Sequence, residues 1–348
     1  MPSDGRKRRC KAVIILSDCL TETADEGALK VASSLARRLR QLDDHTLVIT
    51  YDRKPSWSDM HLALNRLFLN RSLLKVLRRR HDPVLYIPFA SNTLASALRV
   101  CVLSVMGRRQ VRVLFALRHP MNGLTRRLLK WSGAEIITLS EASLRYFQQE
   151  TGHALQLKAG VDTKKFTPVN AGKKAELRQK YGVAPDQKVL LHVGHLNAGR
   201  NVQSLLHAGE EYHVFLVVST VTQVDEALRR RLEERPNTTI IDHYLPDVHQ
   251  LYQMADVYLF PVMEEEHCID LPLSVMEAAS CNVPIVTTAY GELAAFQCEP
   301  GFAFISGNNG EEITDALSRM AAMRGCENRA AIREYDWDRA VAQLLRMT

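Results

Sequence analysis

The feature of this 348-residue chain that most constrains its fold is an alternation, carried through twice, of short β-rich apolar runs with longer segments of helical period. Parallel strands buried on both faces read as continuous apolar runs, and the helices that cover them repeat their apolar positions every three to four residues. In the first half, strands are expected at 12–16, 46–50, 84–87, 111–116 and 135–139, with helices near 27–42, 60–80, 93–106, 124–131 and 141–151. A second series follows the polar stretch 163–174, with strands at 189–193, 213–218, 238–241, 257–260 and 284–287. The expected fold is α/β, with two Rossmann-like doubly wound domains facing an interdomain cleft. Ligands of such sheets lie beyond the carboxyl ends of the strands.

Composition narrows the class. Apolar residues make up 46% and charged residues 24% of the chain, which suits a soluble globular protein and excludes a disordered or low-complexity one. The apolar run Ala12–Leu16 is too short for a signal-peptide core or a spanning helix, so Arg6–Arg9 read as a solvated leader. Seven scattered cysteines with no Cys-x-x-Cys pair point to reduced thiols, a cytoplasmic setting and no zinc site. Residues 1–165 carry 29 Lys/Arg against 14 Asp/Glu, while residues 166–348 carry 16 against 25. A basic N-terminal half suggests an anionic partner: a lipid headgroup, a phosphorylated acceptor or, less favoured, nucleic acid. Arg37-Arg38-Leu39-Arg40, Arg78-Arg79-Arg80, Arg108-Arg109 and Arg126-Arg127 supply most of that excess. The segment 124–131 adds Leu124, Leu128 and Trp131 to basic neighbours, as in a helix that makes peripheral membrane contact; the favoured alternative packs that apolar face on the sheet.

Two stretches carry chemistry. From Leu191 to Asn201 the chain runs from a strand through a loop holding Gly194 and Gly199 into an expected helix at about Asn201. Such a loop offers backbone N–H groups and a helix N-terminus to a phosphate, with His195 and Arg200 as added cationic donors. The same loop also reads as a plain strand-to-helix connection. In the second stretch, Asp270 and Glu277 are seven residues apart, which would place them on one stripe of a helix opened by Pro272, with Asp270 or its neighbour as the cap. Paired carboxylates suit the vicinal hydroxyls of a ribose or hexose; the alternative makes Asp270 a cap and Glu277 a solvated residue.

Gly194-His195 with Arg200, Pro272-Leu273-Ser274 with Glu277-Ala278, and Gly160-Val161-Asp162 through Phe166-Thr167-Pro168 resemble the retaining glycosyltransferases of family four, of the glycosyltransferase-B fold. The resemblance covers nearly the whole C-terminal half and is weak over residues 1–135. It implies an acceptor-binding domain over 1–168, a nucleotide-sugar-binding domain over 169–325, and a final helix within 326–348 that returns toward the first. It implies retaining, metal-independent transfer of a sugar from a nucleoside-diphosphate sugar to a hydroxyl acceptor, anionic or lipid-linked, with no further cofactor. Glu277 would bind the donor ribose, Arg200 and His195 the diphosphate, and the Gly291–Glu292 loop would lie against the donor. His119 resembles the family histidine that faces the transferred sugar. One departure stands out: the family glutamate eight residues before the second one is Ile269 here, and Asp270 sits one position later. The rival readings are a catalytically silent binding subunit, which Ile269 motivates, and a sugar-nucleotide epimerase of the same fold.

Overall fold

The computed structural model describes residues 12–346 apart from 24–25, 52–53, 64–66, 108–109, 159, 220–223 and 265–267. The leader Arg6–Arg9, Cys10 and the pair Arg108-Arg109 lie outside the described residues. The chain divides into two compact units: unit 1 holds 1–22, 28–157 and 338–348, and unit 2 holds 23–27 and 158–337. The division falls at 157/158, against 168/169 expected from the sequence.

Unit 1 runs β1 (Ile14–Ser17), α1 (Gly27–Leu42), β2 (Leu47–Thr50), β3 (Met60–His61), α2 (Arg71–Arg79), β4 (Val84–Ile87), α3 (Leu94–Gly107), β5 (Val111–Phe115), α4 (Gly123–Ser132), β6 (Glu135–Thr138), α5 (Glu141–Thr151) and β7 (Ala154–Gln156). Its seven strands are all parallel, in the order β3-β2-β1-β4-β5-β6-β7. Ile14 and Leu16 of β1, Val84 and Tyr86 of β4 and Val111 and Val113 of β5 join Leu73, Val100, Leu103 and Leu129 of the covering helices in one core. The segment expected as one helix over 60–80 is instead a two-residue edge strand followed by α2. Asn70 stops any longer helix by capping α2, its Oδ1 accepting from Ser72 N at 2.8 Å.

Unit 2 runs α6 (Ala171–Lys180), β8 (Lys188–Gly194), β9 (Tyr212–Val218), α7 (Glu226–Glu233), β10 (Thr238–Ile241), α8 (His249–Met254), β11 (Val257–Phe260), α9 (Leu273–Ser280), β12 (Ile285–Thr287), β13 (Phe302–Phe304), α10 (Gly310–Ala321) and α11 (Asn328–Ala331). Its strands are parallel in the order β10-β9-β8-β11-β12-β13. The last helix, α12 (Trp337–Arg346), belongs from Asp338 onward to unit 1, where Ala340, Val341 and Leu344 are buried and Gln343 donates to Gln156 O at 2.9 Å. Among the described residues no helix is long and apolar enough to cross a membrane.

Candidate functional site

In unit 2 the strand order reverses between β8 and β11, so the connections leaving their carboxyl ends diverge and open a crevice between them. The residues at that edge break the apolar pattern. His192 lies inside β8 and is 1% exposed; its Nδ1 is 2.8 Å from Leu259 O on β11. A carbonyl only accepts, so Nδ1 carries the proton and Nε2 presents a lone pair. Burial above all, and the Arg200 and His195 charges after it, push the imidazolium down to about 4, against the Leu259 hydrogen bond, and His192 is neutral at pH 7. A Cβ on Gly194 would sit 3.1 Å from Nε2, so glycine keeps that side of the ring uncrowded.

The loop after β8 holds more buried polar atoms. Arg200 is 7% exposed and hydrogen bonds to the thiol of Cys268; burial pushes that thiol up and Arg200 opposes the shift. Asn201 has φ 55°, and its Nδ2 donates to Pro261 O at 3.1 Å, just past β11. Ser219, the first residue after β9, donates its N–H to Gly194 O at 3.0 Å. Among the described residues, five buried side-chain atoms in these segments have no hydrogen-bond partner: His192 Nε2, Asn197 Oδ1, Arg200 Nε, Asn201 Oδ1 and Ser219 Oγ. Leaving a buried polar group unpaired costs about 1–3 kcal/mol each, so this edge is built for a polar partner from outside the chain. The α-helix expected to open at Asn201 is replaced by two short 3-10 segments, Ala198–Arg200 and Val202–His207. Asn201 in the left-handed region separates them, and no helix dipole of useful length points at the loop. The polar groups that this loop presents are therefore side chains.

The second stretch is also rearranged. Pro272 itself caps α9, which starts at Leu273, so Asp270 lies outside the helix and neither caps it nor shares a stripe with Glu277. The fixed φ of proline and its missing N–H suit the helix start, displacing the carboxylate from that position. Asp270 is instead held through its backbone. Its carbonyl accepts from Glu292 N at 2.9 Å, and Gly291, with φ +50°, comes so close that a Cβ there would lie 2.1 Å from Asp270 O. The half-buried Asp270 and Glu292 and the exposed Gly291 thus form one locked corner beside Cys268, whose carbonyl accepts from Tyr290 OH at 2.8 Å. Glu277 is 6% exposed, not a solvated residue: Tyr252 OH donates to its Oε2 at 2.9 Å. Burial first and the Glu277 charge second raise Tyr252 well above its ordinary value, so the phenol keeps its proton and remains the donor. Ile269 is 5% exposed and packs on Gly27, where a Cβ would meet its Cδ1 at 3.1 Å.

His119 belongs to unit 1. Its ring is exposed, and its backbone is clamped by Asn92, which accepts from His119 N at 3.1 Å and donates to His119 O at 2.6 Å. Among the sequence candidates, unit 2 brings His195 and Arg200 together around His192, and Asp270 together with Gly291 and Glu292. His192, Asn197, Asn201, Ser219 and Cys268 were not singled out from the sequence. The usable signal was a histidine inside the otherwise apolar run Val189–Val193.

With this geometry in view, comparison with known proteins is decisive for unit 2. Residues 187–323, which hold all of β8 and every strand after it, match the family described as Glycosyl transferases group 1. This stretch of unit 2 is similar to a group 1 glycosyltransferase domain. Over 233 residues the chain is 25% identical to the D-inositol 3-phosphate glycosyltransferase of Actinosynnema mirum, an alignment covering 57% of this chain. The chain spans about half the length of the curated relatives it matches (52% and 48%). Among solved structures, a glycosyltransferase from Rickettsia africae superposes with a TM-score of 0.76 at 12% identity, covering 97% of each chain. Anabaena HepE in complex with UDP superposes at 0.72 and 16%, covering 97% of this chain and 99% of that one. Both establish the glycosyltransferase-B fold. Within the matched residues, the orphan polar atoms lie at the strand edge where the order reverses.

Proposed function

We propose that the protein is a glycosyltransferase that moves a sugar, with retention of configuration, from a nucleoside-diphosphate sugar to a hydroxyl acceptor. The observation that carries this reading is the set of five unpartnered polar atoms at the carboxyl edge of β8 and β9. A diphosphate group and a sugar together offer what this edge lacks: anionic oxygens for Arg200, and hydroxyl or N–H donors for His192 Nε2, Asn197 and Asn201. Gly194, His195, Gly199 and Arg200 hold the diphosphate in this reading, Glu277 the ribose hydroxyls, and the Gly291–Glu292 backbone the remainder of the donor. Asp270, fixed by that same loop, serves the sugar hydroxyls in place of the glutamate absent at Ile269. His119, exposed in unit 1, is the acceptor-side candidate.

The mechanism assigns no protein nucleophile. Arg200 stabilises charge on the leaving diphosphate, and a phosphate oxygen takes the acceptor proton, so catalysis rests on positioning and charge. Among the described residues no group of His, Cys, Asp or Glu is arranged to hold a metal ion. Because HepE is seen with UDP, uridine is the first base to test.

Thermal unfolding with UDP, GDP, dTDP and ADP is the test. A ligand at a hundred times its dissociation constant adds about 2.7 kcal/mol, an easily read shift. UDP is expected to stabilise unit 2, followed by slow hydrolysis of a UDP-sugar; no response to any of the four sinks the reading. A second reading, a silent binding subunit, is favoured by Ile269, buried against Gly27 where the related family has a glutamate. Nucleotide binding without hydrolysis or transfer of any UDP-hexose would select it.

A further inference from the structure

The helices α2, α3 and α4 pack side by side on one face of the unit 1 sheet, their inward residues in a common core. The outward side of α3 is unlike that of an ordinary covering helix. Leu94, Leu98 and Val105 fall on one stripe at helical spacing, with Leu94 37% and Val105 64% exposed, while Val102 between them packs against the core. Arg99 is the single charged residue of α3, and it turns inward to the Asp18 carboxylate and Tyr86 OH at the carboxyl edge of the sheet. On α4, Leu124 is 56% and Trp131 68% exposed, seven residues apart and so on one stripe, with the half-buried Leu128 between them packed against the core. Arg126 on the opposite shoulder of α4 pairs with Glu150 of α5, and Cys101 of α3 donates to Leu128 O at 3.3 Å. The apolar shoulder of α4 therefore faces α3, and the two stripes make one exposed apolar ridge.

This ridge has basic flanks. Arg71, Lys75, Arg78 and Arg79 are exposed on α2, and Arg127 and Lys130 on α4, where Arg126 is taken up by Glu150. The three helices together carry eight Lys/Arg and no Asp or Glu. Scattered exposed apolar residues need no partner, but a ridge spanning two helices and rimmed by one sign of charge does. A second copy docked about a twofold axis would set the basic rim against itself. Nucleic acid would leave the aliphatic centre against phosphate and sugar, with Trp131 the one aromatic able to stack on a base. An anionic bilayer satisfies both parts, apolar side chains entering the acyl boundary and Lys/Arg meeting the headgroups, with tryptophan at the level where it is enriched. We propose that this face of unit 1 is a docking surface for an anionic lipid bilayer, with Leu94, Val105, Leu124 and Trp131 inserted and the basic residues of α2 together with Arg127 and Lys130 of α4 on the headgroups. The inference stands apart from the donor reading, since none of these residues belongs to unit 2.

The test is co-sedimentation of the full chain with vesicles of phosphatidylcholine alone and of phosphatidylcholine mixed with phosphatidylglycerol, at low and high salt. Two double variants, Val105→Glu with Trp131→Glu and Arg127→Glu with Lys130→Glu, are run alongside, with circular dichroism verifying that each is folded. Wild-type protein is expected to bind the mixed vesicles and not the neutral ones. Binding should fall steeply with salt and by at least about tenfold in each double variant, since each basic residue near an anionic surface contributes about fivefold. Tryptophan emission should shift to the blue on binding, and Trp131→Phe should abolish the shift while leaving sedimentation nearly intact. Absence of binding to mixed vesicles at low salt overturns the proposal, as does binding that both double variants leave unchanged. Dimerisation that these variants break, or DNA binding in place of vesicle binding at the same salt, also overturns it.

Discussion

Glu277 and His192 show how this protein holds a polar side chain in its interior. The Tyr252 hydroxyl fixes the Glu277 carboxylate, so Glu277→Ala would disturb the core by orphaning a phenol, whereas Glu277→Gln keeps an acceptor for it. Glu277→Gln is expected to leave the melting temperature within about 2 °C and weaken UDP binding about tenfold, as losing charge-assisted hydrogen bonds does. Calorimetry decides; unchanged affinity would make Glu277 a structural partner of Tyr252 alone. His192 carries a pH signature. Its folded-state value of about 4 lies below the ordinary 6.5, so its contribution to stability is present above about pH 6.5 and lost as pH falls toward 4. The loss amounts to at most about 3 kcal/mol. His192→Asn keeps a donor for Leu259 O and cannot titrate, so urea unfolding of the variant should show a shallower loss across that window than wild type. Parallel losses would mean that His192 is not held neutral.

Elements decide where those residues point, and here the sequence was legible unevenly. Helices α1 and α5 and strands β4, β10 and β11 fall where periodicity puts them, because long amphipathic repeats and apolar runs buried on both faces are strong signals. Strands β3, β7 and β13 are two or three residues long, too short to show a period. The 3-10 geometry after β8 was hidden for a related reason, since Val202–His207 has an apolar pattern that fits either helix and only the left-handed Asn201 separates the segments. The site was half legible: Arg200, His195 and the Gly291 corner carried family spacing, while Asn197, Asn201 and Ser219 are ordinary loop residues until the fold buries them. The Gly291 corner gives an element-scale prediction. Gly291→Ala forces a side chain into the left-handed region, which costs about 1–2 kcal/mol, and drives a methyl group into Asp270 O. Lower stability of unit 2 and an altered KM for the UDP-sugar are expected. A variant as stable and active as wild type would show that the corner can open freely.

At the scale of the whole molecule, the two units have separate cores, each under a parallel sheet of its own. Two unfolding transitions are therefore expected in calorimetry, with UDP raising only the one that belongs to unit 2. Stabilisation of both transitions by the same amount would show that they are thermodynamically coupled. Helix α12 adds a consequence for biosynthesis. The residues that complete unit 1 are translated after all of unit 2, so on the ribosome the unit begun first is finished last. Residues 158–337 can collapse as soon as they emerge, while the seven-stranded sheet waits with the α12 seat uncovered. A nascent chain ending at residue 337 and held on the ribosome by a linker long enough to clear the exit tunnel should thus display a protease-resistant unit 2 beside an unprotected unit 1, and the nascent unit 1 is the segment most in need of a chaperone.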